Sequence, residues 1–158
     1  MSSQVLSDQE SHAISAWVRL LRGHAAVRRS LSIQLHADHG LTVNDYEALL
    51  VLSRAEGKQR RRIDLAQELQ LTASGVTRLL DGLEKHGLVE KGSCASDARV
   101  TYAVLTKAGE RKLDEAACSH VAAVRALFEE RYTADELGTL AELLARLPGV
   151  GGDEDCVP

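Results

Sequence analysis

Five cations, Arg54, Lys58, Arg60, Arg61 and Arg62, fall within nine residues. Charge at this density suits a phosphate backbone, where each contact releases condensed counterions; a solvated loop is the plain alternative. Farther on, Ser74, Arg78, Asp81 and Lys85 recur at i, i+4, i+7 and i+11, which places them on one face of a helix. Such a face can donate to base edges in a major groove, where arginine pairs with guanine. Arg99 stands two residues after Asp97 at the end of a polar run. A guanidinium on an extended loop fits a minor groove by charge and shape. Asp97 would hold Arg99 in position, or the two form a surface ion pair of little worth.

Other chemistries lack their signatures. Ser74-Gly75 has no G-x-S-x-G context, and neither H-E-x-x-H nor a Gly-rich phosphate loop occurs, so no enzyme is expected. His36 and His39, at i, i+3 beside Asp38, could share a metal. Cys118 and His120, at i, i+2, diverge on a helix, so neither a metal site nor a cofactor is expected. Cys94, Cys118 and Cys156 are odd in number and form no C-x-x-C pair, which argues against a disulfide framework. With no apolar run of about 18 residues and no basic start followed by an apolar stretch, a soluble cytoplasmic protein away from membranes is expected.

The net charge of −4 taken alone argues against nucleic acid, but its distribution does not. Residues 129–158 carry −6, whereas 54–99 carry +2. At 158 residues and 44% hydrophobic, the chain suits one cored unit with helical extensions.

The elements that position these cations follow from periodicity. Ile14, Trp17, Val18, Leu21, Ala25, Leu31 and Leu35 recur at steps of three and four, which predicts one long helix from Ser7 to His39, stopped by Gly40. A helix this long needs a partner. A second helix is expected over Thr42 to Ala55 with Leu49, Leu50 and Leu52 inward, closed by the loop Glu56 to Gln59. Asp64 to Leu69 predicts a short helix, Gln70 to Thr72 a turn, and Ala73 to His86 a further helix stopped by Gly87. In that last helix Val76, Leu79, Leu80 and Leu83 form the packed stripe opposite the polar face. Thr72 caps its start, where unpaired N–H groups favour an anion. Gly75 and Gly82 are costly inside a helix, and close approach to a groove edge would explain Gly75. After Gly87 the period falls to two. Strands from Leu88 to Lys91 and from Val100 to Leu105 flank a polar loop, forming a wing. Candidate DNA contacts are therefore Thr72, Ala73, Ser74, Gly75, Thr77 and Arg78 on the helix, Arg62 before it, and Ser96, Asp97 and Arg99 in the wing.

Helices over Thr106 to Arg131 and Thr133 to Leu147, closed by Pro148-Gly149, expose more apolar surface than a small winged unit can cover. A shared two-fold core with the first helix would set two reading helices about 34 Å apart, one DNA turn. The Gly-rich acidic tail at 149–158 is expected to be disordered. The fold class is thus mainly α with a small β wing: a dimerisation helix at 1–41, a winged helix-turn-helix lobe at 42–105, and dimerisation helices at 106–148.

The run from Leu65-Ala66 through Val76-Thr77-Arg78-Leu79-Leu80 to Gly87-Leu88-Val89, then Asp97-Ala98-Arg99 and Leu105-Thr106-Lys107-Ala108-Gly109, resembles the MarR (multiple antibiotic resistance regulator) family over nearly the whole chain. The resemblance implies a triangular homodimer in which each protomer offers a winged helix to half of a pseudo-palindrome, commonly a repressor released by a small molecule or oxidant. It makes Trp17, His24 and Arg28 candidates for an effector pocket between the first helix and the winged lobe. Zinc-sensing relatives keep a metal-responsive alternative open through His36 and His39, although their ligand-rich pattern is absent. Peroxide-sensing relatives carry a cysteine in the first helix, which this chain lacks, leaving Cys94 in the wing loop. A helical dimer that binds protein without reading DNA is the alternative of a different class.

Overall fold

Threonine sets the start of four helices. Thr42, Thr72, Thr106 and Thr133 precede α2 (Val43–Arg54), α4 (Ala73–Lys85), α5 (Lys107–Glu129) and α6 (Ala134–Leu144), and each hydroxyl accepts a backbone N–H three residues on. Such caps satisfy donors that the helix leaves open, each contributing about 1 kcal/mol. At Thr42 and Thr133 the N3 residues, Asp45 and Glu136, reach back to complete capping boxes. Gly40 (φ 68°) and Gly87 (φ 70°) supply the left-handed conformation that ends α1 (Asp8–His39) and α4. This computed structural model describes residues 8–93 and 99–150, so the expected helix start at Ser7, the loop positions 94–98 and the tail 151–158 lie outside it.

One strand was not anticipated. After a 3-10 turn at Glu56–Lys58, β1 (Gln59–Arg61) joins a sheet of order β1-β3-β2 with β2 (Val89–Ser93) and β3 (Thr101–Leu105), all antiparallel. Arg60 and Lys91 both stand opposite the buried Ala103 of the central strand. Three residues are too short to show alternation, and a basic composition conceals an edge strand. The helix α3 (Arg62–Glu68) follows without a linker.

The core gathers Leu31 and Leu35 of α1, Leu49 and Leu52 of α2, Leu65 of α3, Val76, Leu80 and Leu83 of α4, Leu105 of β3, and Leu113 and Ala116 of α5. Helix α1 is therefore divided. Its C-terminal half closes this core, whereas Ile14 and Trp17 stand 56% and 57% exposed; Trp17 is not a core residue of the single chain. Helix α6 contains no buried residue.

The join between α5 and the end of α4 is tight. Thr106 donates its backbone N–H to Leu88 O (3.1 Å) and its hydroxyl to Gly87 O (2.7 Å). A Cβ on Gly109 would lie 2.1 Å from Leu88 O and 2.6 Å from Leu105 Cδ1, so only glycine fits. Where α2 meets α5, the Tyr46 and His120 rings lie 4.5 Å apart at 47°. Burial pushes the Tyr46 phenol up and the His120 imidazole down, the latter partly offset by Glu47.

Gly109→Ala should lower the unfolding free energy by about 1–3 kcal/mol or more through overpacking. Gly82→Ala, where nothing lies within 4 Å of the added Cβ, should raise it by about 1 kcal/mol; chemical denaturation checks both. Because folding lowers the His120 pKa, its neutral ring favours the folded state above the ordinary histidine value. That contribution drains as pH falls from there through the depressed folded value. His120→Phe, which keeps the ring contact, should flatten the loss of melting temperature between about pH 6.5 and pH 5; an unchanged pH profile would count against it.

Candidate nucleic-acid interface

The polar face of α4 stands clear of the core: Ser74, Arg78, Asp81 and Lys85 are all exposed. Thr72 is committed to the cap, its Oγ1 accepting from Gly75 N at 3.1 Å and lying 3.2 Å from Ser74 Oγ. Gly75 has an internal reason to be glycine, because a Cβ there would stand 3.1 Å from Thr72 Oγ1 and 3.7 Å from Leu71 Cβ. The cap is thus a second reason for glycine at this position, beside the expected approach to a groove edge. Ala73, exposed, begins the helix beside them.

Thr77 has a specific geometry. Its hydroxyl donates to Ala73 O (2.8 Å) and accepts from Arg62 Nη2. With its one proton spent, Thr77 can only accept from a ligand. The contact fixes the Arg62 guanidinium against the reading helix. Arg78, by contrast, is exposed and has no hydrogen-bond or ion-pair partner among the described residues.

A cleft of about 570 Å³ runs between the first turn of α3, the first turns of α4 and the base of the wing. Arg62, Ala73, Thr77 and Arg99, from three separate parts of the chain, share its lining with Arg61, Gln67 and Thr101. Gln67 and Thr101 went unrecognised in the sequence, and Arg61 was read only as part of the basic run, since their convergence depends on β1 placing α3 against β3. Thr72, Ser74, Gly75 and Arg78 continue along the same helix outside the cleft. Ser96 and Asp97 lie outside the described residues, as does Cys94.

The basic run proves less available than its density suggests. Lys58 Nζ lies 2.8 Å from Glu110 Oε1, and Arg61 Nε donates to Asp64 Oδ2 at 2.7 Å. Arg60 Nε lies 3.2 Å from Glu68 Oε1 without donating a hydrogen bond to it. The hydrogen bonds from Arg61 and Lys58 hold the carboxyls of Asp64 and Glu110 below the usual range. These exposed pairs contribute little stability but pre-empt phosphate contacts.

The three candidate effector residues divide. His24 and Arg28 line a cavity of about 590 Å³ between α1, α2 and the α3–α4 turn, reaching Gln70 and Leu71. Arg28 donates there to Glu47 Oε1 (2.9 Å) and to Asn44 Oδ1. Trp17 lies instead in an apolar groove of about 740 Å³ with Phe128, Tyr132, Leu140, Leu143 and Leu147, which His24 also touches. His39 Nε2 is 2.6 Å from Ser119 Oγ, and His36 is exposed. Among the described residues no three His, Cys, Asp or Glu are grouped to hold a metal, and no helix is long and apolar enough to cross a membrane.

A model described as the MarR family matches residues 39–100, which hold α2, β1, α3, α4 and β2. The structure is similar to AbsC, a MarR family transcriptional regulator from Streptomyces coelicolor, at 33% identity over 90% of this chain and 93% of that one, TM-score 0.75. It is also similar to Sco3205, a MarR family transcriptional regulator from the same organism in complex with DNA, at 28% identity over 90% and 88% of the two chains, TM-score 0.77. The HTH-type transcriptional repressor YetL of Bacillus subtilis (strain 168) is 27% identical over 70% of this chain. That match spans 66% of YetL, just under two thirds. The chain belongs to the MarR family of winged helix-turn-helix transcriptional regulators.

Thr77→Val, which removes the acceptor of Arg62 while keeping the shape, should weaken duplex binding by about tenfold, the loss of one charge-assisted hydrogen bond. Fluorescence anisotropy against Arg62→Ala checks this: if Thr77 acts by holding Arg62, the double variant should lose no more than Arg62→Ala alone.

Proposed function

We propose that this protein is a sequence-specific double-stranded DNA-binding repressor that engages a pseudo-palindromic operator as a homodimer and is released by a small-molecule effector. The observation that carries this reading is the convergence of Arg62, Thr77 and Arg99 on one cleft beside the unpartnered Arg78. A guanidinium fixed at the helix start suits phosphate, a free one on the exposed face suits a base edge, and one at the wing suits a minor groove. The repressor direction draws on YetL.

The homodimer accounts for the uncovered apolar surface. Trp17, Leu20, Leu143 and Leu147 are exposed and line one groove, and a contiguous apolar patch of this kind marks an interface. In this division residues 1–41 and 106–148 dimerise, while 42–105 reads DNA. The cavity lined by His24 and Arg28 is the effector site in this reading, because it touches both α1 and the turn that enters the reading helix. The protein then works in the cytoplasm, where its operator lies.

Selection of duplexes from a random pool at two salt concentrations should recover an inverted repeat bound by one dimer, with stoichiometry from light scattering. Arg78→Ala should cost about 1–3 kcal/mol on that operator and relax base preference at one position per half-site. Equal losses on all sequences would move Arg78 to phosphate. Arg99→Ala should weaken binding chiefly at A·T-rich flanks. No enriched duplex, with the protein folded and dimeric, would favour the protein-interaction alternative.

A further inference from the structure

Ile63 takes no part in the core. It sits on the first turn of α3 with 64% of its surface exposed, whereas Leu65 and Ala66 of the same short helix are buried. A lone exposed isoleucine is ordinary, but this one lines the cleft of about 570 Å³ that also holds Arg62, Thr77 and Arg99. Ala73, exposed, and Val100, half-buried, extend the apolar surface beside it. Among the described residues no carboxylate lines the cleft.

The position of the cleft determines what must cross it. It lies between the first turns of α4 and the base of the wing. With α4 in a major groove and the wing at the adjacent minor groove, the sugar-phosphate strand that divides the two grooves has to run through the space between them. The first helix of a helix-turn-helix crosses that strand. Such a strand alternates in chemistry. Its phosphates take guanidiniums, but each deoxyribose between them presents a carbon-lined edge that gains nothing from charge. An isoleucine directly after Arg62 in sequence matches that alternation of phosphate and sugar.

We propose that Ile63 packs on the deoxyribose of the strand that crosses this cleft, beside the phosphate held by Arg62, and that this contact selects deoxyribose over ribose there. A 2′-hydroxyl on that sugar would lose its water against an isoleucine. The inference rests on the duplex-binding reading and adds to it a contact that carries neither charge nor base identity.

The probe is a labelled duplex carrying the inverted repeat recovered by selection, titrated with the full chain by fluorescence anisotropy at several salt concentrations. Ile63→Ala should weaken binding about fivefold without changing the salt dependence, since an apolar contact releases no counterions, whereas Arg62→Ala should lower the salt slope by about one. Ile63→Val should bind as the parent does. Single ribonucleotides stepped along each half-site should weaken the parent by about threefold or more at one backbone position, and Ile63→Ala should lose that penalty. The inference is overturned if Ile63→Ala binds like the parent, if its loss comes with a lower salt slope, or if the ribonucleotide penalty is the same in both proteins. It is overturned too if replacing one thymine by uracil reproduces the loss in the parent alone, which would place the side chain on a base methyl. All of these leave the duplex-binding reading standing; a folded parent that binds no duplex would remove that reading and this inference together.

Discussion

The approach of Gly109 to the Leu88 carbonyl is the constraint on which the remaining geometry hangs. A main-chain oxygen stands where any other residue would carry its Cβ, and Thr106 bonds both Gly87 and Leu88 from the same turn. The end of the reading helix, the start of the wing and the first turn of α5 thereby become one rigid joint. Were it looser, Arg99 and the first turns of α4 would not be held across a common cleft, because β3 and α5 are continuous through Leu105 and Thr106.

Electrostatics act by placement here more than by sum. The chain is net negative, and most cations in its densest basic run already face carboxylates. What distinguishes the binding face is a small number of guanidiniums with different restraints. Arg62 is fixed by a hydroxyl, and Arg78 is left to the solvent. The first gives orientation at little entropic cost on binding; the second can adapt to a base edge.

Most of the architecture was legible because helices of this length repeat their apolar positions several times, and because threonine and glycine mark their ends. Thr72, Gly40 and Gly87 have the roles that their types suggested. The three-residue β1 escaped notice, having too few positions to show a period, and with it went the seating of Arg61, Gln67 and Thr101 in the cleft. Gly75 was only half legible for a related reason. Sequence shows that a residue is small without showing which neighbours crowd it, and one of them here is the capping hydroxyl of Thr72. The division of Trp17 from Arg28, with His24 touching both cavities, was equally hidden, since positions a few turns apart on one stripe meet quite different neighbours.

Helix α1 has 32 residues without a break, a length of roughly 48 Å at 1.5 Å per residue. One half is set in the core of the winged lobe and the other projects from it, so it behaves as a lever with its fulcrum near Leu31. In the proposed dimer the two lobes hang from such levers. The arm from Leu31 to Asp8 is roughly 35 Å at 1.5 Å per residue, so a pivot of about 5° displaces its far end by about 3 Å, roughly a tenth of the 34 Å that separates successive major grooves. Small repacking at the fulcrum, near Arg28 and Glu47, would therefore be amplified into a mismatch of pitch between protein and duplex.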